Sequence, residues 1–263
     1  MKSNQPIGIF DSGVGGLSIW KEIVTLLPNE DTIYLADSRN APYGQKSKQE
    51  IIDLSVKNTE FILEKGCKII VVACNTATTN AIDYLRENYD VPFIGIEPAI
   101  KPAALQTKTN AIGILATQGT LTSELFHNTS AKFAEGITVV EQEGEGLVPL
   151  IENGKINSQE IETLLYKYLK PMLDKRIDYL VLGCSHYPFL IPQIKKVIGS
   201  NVSIIDSGES VAKQTKAVLT KDGLLNSKTK TPSHQLYSNA DVTTLLGVIK
   251  DFDRNTTVKY LDF

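Results

Sequence analysis

Two stretches of this chain can be laid on one another at an offset of about 105 to 110 residues, and that repeat limits what it can fold into. IGIFDSG from Ile7 corresponds to IGILATQG from Ile112, TIYLAD from Thr32 to ITVVEQ from Ile137, and KIIVVACNT from Lys68 to DYLVLGCSH from Asp178. In both copies a cysteine ends a buried-looking strand, Cys74 in one and Cys184 in the other. Each copy then runs on to a further strand ending in an acid, Glu97 or Asp206. Each copy alternates short β-branched or aliphatic runs with amphipathic stretches, the signature of parallel βαβ units with helices on both faces. The expected architecture is therefore α/β: two similar halves, each with a mostly parallel sheet flanked by helices.

Strands are expected at 7–10, 32–36, 69–73, 93–96, 111–115, 138–141, 179–182 and 202–205. Helices fit 17–27, 48–65, 76–88, 123–134, 158–175 and 191–198, and Asn157 with Glu160 three residues on reads as the N-cap of the fifth. After the second copy the chain still offers helix 211–220, strand 235–237, helix 241–252 and strand 258–261, with 221–233 as a surface loop. These elements are too few to stand alone, so they are expected to return to the first half. One domain would then comprise 1–98 plus 208–263, the other 99–207, with the site between them.

The composition narrows the function classes. Net charge is −3, with 27 Lys plus Arg against 30 Asp plus Glu, so there is no electrostatic footprint for nucleic acid. No apolar run reaches membrane-spanning length, and MKSNQPIGIFDSG has no signal-peptide core. Three cysteines without a CxxC pair fit a reducing compartment, and the reading is a cytoplasmic protein.

In parallel sheets ligands bind beyond the carboxyl ends of the strands, where Cys74 and Cys184 both fall. Each is followed by polar residues and a helix start, which should lower the thiol pKa. Cys67, ahead of its strand, reads as packing. A metal site is not expected, because Cys74, Cys184 and His186 lack a fourth ligand at zinc spacing. Two equivalent thiols on opposite faces of a ligand suit one reaction, inversion of a stereocentre bearing an acidic C–H: one removes the proton, the other returns one to the opposite face. The turn DSGVGG, 11–16, fits neither the dinucleotide fingerprint nor a P-loop. Asp11 there suits a substrate ammonium or a neighbouring thiol better than a phosphate, which favours an amino-acid ligand. His186 could orient or protonate near Cys184. Other readings are a racemase of aspartate or another amino acid, a two-lobed binding protein, and a cysteine hydrolase using Cys184 and His186. Against the last, residues two apart need not face each other, and no orienting third group is evident.

Taken in order, DSGVGG, ADSRNAPYG, VVACNTAT, GIEPA, GILATQGT, LVPLIENG, LGCSHYP and DSGE resemble the glutamate racemase family, over about 7–209. The resemblance implies two pseudo-symmetric α/β domains and interconversion of L- and D-glutamate without a cofactor, supplying D-glutamate for peptidoglycan, in a chain that pairs as a homodimer. It implies that Cys74 takes the proton from the D-enantiomer and Cys184 from the L-enantiomer, with Asp11, His186 and Glu152 assisting. Substrate contacts would fall on Asp11, Ser12, Tyr43, Gly44, Asn75, Thr76, Thr117, Ser185 and His186. Ser185 stands where the family usually has Thr, which keeps the hydroxyl and drops a methyl.

Overall fold

The computed structural model describes residues 1–227, 231–252 and 255–263. Two all-parallel sheets form its frame. The first is built from β1 (Ile7–Asp11), β2 (Thr32–Ala36), β3 (Ile69–Val72) and β4 (Phe93–Gly95), joined late in the chain by β9 (His234–Ser238) and β10 (Thr256–Tyr260). Its spatial order is β10-β9-β2-β1-β3-β4. The second contains β5 (Ala111–Ala116), β6 (Thr138–Glu143), β7 (Tyr179–Gly183) and β8 (Ser203–Ile205), in the order β6-β5-β7-β8. Burial follows position in the sheet. Every residue of β1, β2 and β3 is buried, as an interior strand covered on both faces requires, whereas β6, β8 and β10 at the edges carry exposed residues.

The returning segment takes its place by register. Tyr34 of β2 lies opposite Leu236 of β9, and Leu236 opposite Val258 of β10. Before them α10 (Gly208–Lys221) packs along α1 (Leu17–Leu26). The central apolar cluster contains Trp20, Ile23 and Val24 of α1, Val211 and Leu219 of α10, and Leu165, Leu169 and Met172 of α8 (Gln159–Asp174).

The repeat is visible in side-chain space. Gly8 in β1 and Gly113 in β5 are equivalent, and at both a helix-side neighbour occupies the space a side chain would need. A Cβ on Gly8 would lie 2.2 Å from Ile62 Cγ2, and one on Gly113 would lie 2.7 Å from Ile177 Cδ1 and 2.9 Å from Met172 Sδ. Glycine lets these layers close to packing distance.

Several boundaries depart from the sequence reading. The N-cap of α8 is Ser158, whose hydroxyl accepts the Ile161 N–H, while Asn157 Oδ1 accepts from Gln193 Nε2 at 2.6 Å. Two adjacent polar residues compete for the cap, and the one whose backbone is extended directly before the helix wins. Helices α4 (Ile100–Gln106), α5 (Gln118–Leu121) and α7 (Leu147–Glu152) had not been anticipated; α4 and α7 contain Pro102 and Pro149, which sequence rules read as breaks. The last helix, α11, spans only Thr243–Ile249. Residues 228–230 of the expected loop 221–233 lie outside the described residues.

Candidate functional site

In each sheet the parallel strands end at one edge, so the residues that follow them collect there. Asp11 is the last residue of β1, Cys74 is the N-cap of α3 (Asn75–Asn88), Thr117 follows β5, and Cys184 follows β7. Cys74 and Cys184 line one narrow pocket between the two sheets, together with Ser12, Tyr43, Gly44, Asn75, Thr76, Thr117, Ser185 and His186. Asp11 and Glu152 stand behind this wall. Pro42 and Val148 also line it and had not been singled out. Pro42 lies inside a turn motif quoted for its neighbours, and Val148 sits on the unanticipated α7.

The two thiols have different surroundings. Cys74 Sγ accepts the Ala77 N–H at 3.4 Å and donates to Ser12 Oγ at 3.6 Å. Cys184 Sγ is 3.8 Å from His186 Nδ1, and His186 Nε2 is 2.5 Å from Glu152 Oε1. Residues 184 and 186 do face each other, and an orienting third group exists, so the two geometric objections to a Cys–His pair do not hold here. Glu152 in turn accepts the Val14 N–H at 2.7 Å and the Ser38 hydroxyl at 2.8 Å, binding α7 to the first sheet's loops. Asp11 Oδ2 accepts the N–H groups of Gly13 and Gly16, and its Oδ1 accepts the Ser185 hydroxyl at 3.0 Å. The DSGVGG turn is thus closed around its own carboxylate, which also reaches the residue beside the second cysteine.

The electrostatics correct one expectation. Burial pushes the Cys74 thiol well above its ordinary value and the charge of Asp11 adds to this; the Ala77 N–H and Ser12 oppose both and do not prevail. The helix start contributes in the expected direction but desolvation is larger. For His186 burial works against the cation, yet hydrogen bonds to Cys184 and Glu152 and the charges of Glu152 and Asp11 carry it well above the ordinary histidine value. Burial alone would raise Glu152, but the His186 hydrogen bond and charge and the Val14 N–H hold it low. Burial raises Asp11 against the opposing effect of His186.

Asn75 is buried in this wall with both Nδ2 and Oδ1 unpaired among the described residues. Such a donor and acceptor side by side match a ligand carrying both an anionic and a cationic group. Thr76 Oγ1 is 2.8 Å from Thr117 Oγ1, which is 3.1 Å from Thr120 Oγ1, so three hydroxyls span the two halves. Thr120 was missed, being on the short α5. The lining holds no Lys or Arg, and the space open to a water centre is about 10 Å³, room for roughly one water. Among the described residues no three His, Cys, Asp or Glu side chains are grouped as metal ligands. No helix among them is long and apolar enough to cross a membrane.

Away from the pocket, Cys67 is buried against β1, which pushes its thiol up to about 12. His234 is buried with its Nδ1 2.9 Å from Thr32 Oγ1 and its ring edge-on to Trp20. His127 is exposed on α6 (Glu124–Phe133).

Comparison with known proteins gives one pattern. Residues 7–215 match the family described as Asp/Glu/Hydantoin racemase. The chain is 48% identical to the glutamate racemase of Herpetosiphon aurantiacus over 90% of its own length and 94% of the relative's, and 47% identical to that of Ralstonia pickettii over 85% and 79%. Among solved structures, glutamate racemase isoform RacE1 of Bacillus anthracis superposes with a TM-score of 0.87 at 30% identity, covering 99% and 98%. Escherichia coli glutamate racemase in complex with L-glutamate and the activator UDP-MurNAc-ala gives 0.86 at 32%, covering 98% of each.

Proposed function

The chain belongs to the Asp/Glu/hydantoin racemase family and is an amino-acid racemase, and from that premise we propose that it interconverts L- and D-glutamate through Cys74 and Cys184 without a cofactor. The observation that carries the reading is that both thiols, each at the end of an equivalent strand in a different sheet, line one pocket. Relatives at 40% identity and above that bear the name glutamate racemase support glutamate over aspartate.

In the proposed reaction the amino acid lies between the thiols with its zwitterion on Asn75. With L-glutamate, Cys184 as thiolate takes the Cα proton: the C–H bond breaks, an S–H bond forms, and the electron pair stays on Cα, spread into the carboxylate. Cys74 then gives its own proton to the opposite face and is left as thiolate. With D-glutamate the roles exchange. His186, held by Glu152, offers a proton-bearing partner to the Cys184 thiolate. Cys74 has Ser12 and the Ala77 N–H instead, so the two directions meet different environments. The hydroxyls of Thr76 and Thr117 and the Tyr43–Gly44 wall would hold the side-chain carboxylate. The narrow pocket has room for about one water, so on this reading it must widen to admit substrate.

We extend the reading to a domain division of 1–98 plus 208–263 against 99–207, supported by the assignment of β9 and β10 to the first sheet. By the same resemblance the product serves peptidoglycan synthesis in the cytoplasm and the chain is a homodimer. For the first, the support is an Escherichia coli relative solved with the activator UDP-MurNAc-ala.

The test is ellipticity decay of single enantiomers of glutamate, aspartate and other amino acids, with no cofactor added. Glutamate should racemise; racemisation of aspartate alone would contradict the substrate assignment. Cys74→Ala and Cys184→Ala should each abolish racemisation in a folded protein. A thiol hydrolase built on Cys184, His186 and Glu152 would leave Cys74 idle, so no racemisation by the wild type together with acyl capture on Cys184 that survives Cys74→Ala would favour that second reading.

A further inference from the structure

One buried carboxylate that does not face the pocket organises the loop forming its wall. Asp37 follows β2 and is 2% exposed. It accepts from the Tyr43 hydroxyl at 2.5 Å, from Asn40 Nδ2 at 2.8 Å, and from Asn239 Nδ2 at 2.5 Å. The Tyr43 hydroxyl also receives Asn58 Nδ2 at 3.1 Å. Asn239, itself 1% exposed, accepts the Arg39 N–H on Oδ1 at 3.0 Å, and its own N–H donates to Ala36 O at 3.3 Å. One side chain just past β9 thus holds Asp37 and Arg39 together at the start of the turn that leads to Tyr43 and Gly44. It lies outside residues 7–215, the stretch that matches the family.

We propose that Asn239 is a positioning residue for substrate affinity, fixing the Tyr43–Gly44 wall through Asp37. An uncharged amide is the group the position needs, because it donates to a carboxylate and accepts from a backbone N–H at once. A carboxyl of the same shape would set an acceptor against an acceptor, and a methyl would leave Asp37 and the Arg39 N–H both unpaired in a buried place. Little displacement of the wall is harmless: a Cβ on Gly44 would lie 2.9 Å from Thr117 Cβ. Through this contact the late-joining strands serve the site as well as the sheet.

This inference rests on the proposed glutamate racemisation, and its test separates the two. Asn239→Asp keeps the shape and the acceptor for Arg39 and removes the donor to Asp37; Asn239→Ala removes both. Each should raise KM for both enantiomers about tenfold with kcat within about twofold, the pattern of lost binding without lost chemistry. Independently of activity, amide hydrogen exchange of residues 37–45 should quicken in both variants, and Tyr43→Phe combined with Asn239→Ala should raise KM by less than the product of the single effects. Unchanged KM and exchange in the variants of a racemising protein would overturn the positioning role. A wild type that does not racemise glutamate would instead overturn the functional reading, leaving the exchange measurement to decide whether Asn239 orders the loop.

Discussion

Glu152 helps to stabilise the charged form of His186, the residue beside one of the two thiols. The imidazolium of His186 is stabilised in spite of its burial, with the hydrogen bond to Glu152 among the causes. Its folded pKa is raised above the unfolded value of about 6.5, so the associated stability is complete below that value and fades as pH rises through the folded one. Glu152→Gln removes that charge and leaves only Cys184 and Asp11 to oppose burial, which makes the cation less favoured. NMR titration of the His186 ring should therefore give a lower pKa in the variant than in the wild type, and the alkaline loss of stability should be smaller and complete at a lower pH. An unchanged or higher value would show that Glu152 does not set it. The sequence singles out Cys74, Cys184 and His186 by their place after strands. The partnership of Glu152 with His186 spans 34 positions and two elements, and only the resemblance pointed to it.

At the scale of elements the two glycines of the repeat make the clearest prediction. Because a Cβ on Gly8 would overlap Ile62, Gly8→Ala should cost about 1–3 kcal/mol in urea unfolding, by overpacking between β1 and α2 (Lys48–Glu64). A loss no larger than that of an exposed Gly→Ala change would mean the layers give way easily. Strands were legible because their apolar runs are uninterrupted: Ile69–Val72 cannot be read otherwise. The longer helices were legible from period rather than from caps: the one cap read, Asn157, gives way to Ser158, and the capping box of Ser47 and Glu50 on α2 went unread. Helices α4, α5 and α7 were not, since one turn or two gives too little periodicity to read and Pro102 and Pro149 argue against helix. That loss hid Val148 and Thr120, whereas Thr117 was reached through the family resemblance.

The whole molecule depends on a buried cation far from the pocket. Lys68, at 0% side-chain exposure, is 2.5 Å from Glu30 and also donates to Ser3 O and Leu224 O, while Glu30 accepts the Asn226 N–H. The N-terminal segment, the turn before β2 and the stretch after α10 are gathered on this pair. Lys68→Met would leave Glu30 buried without its partner and should cost about 3–5 kcal/mol in urea unfolding, whereas Lys68→Met with Glu30→Leu should recover most of that loss. A single variant as stable as the wild type would show the pair to be dispensable. That the tail returns to the first half was readable from the count of leftover elements; that a lysine and Asn239 fasten it was not, because both contacts join residues far apart in the chain. The central claim, that opposed thiols act on opposite faces of one carbon, is tested by starting with all-protonated L-glutamate in D₂O and stopping at low conversion. The account predicts deuterium at Cα of the D-glutamate formed and protium retained in the remaining L-glutamate. Deuterium appearing equally in both, or D-glutamate that keeps its original proton, would mean a single base serving both faces and would contradict it.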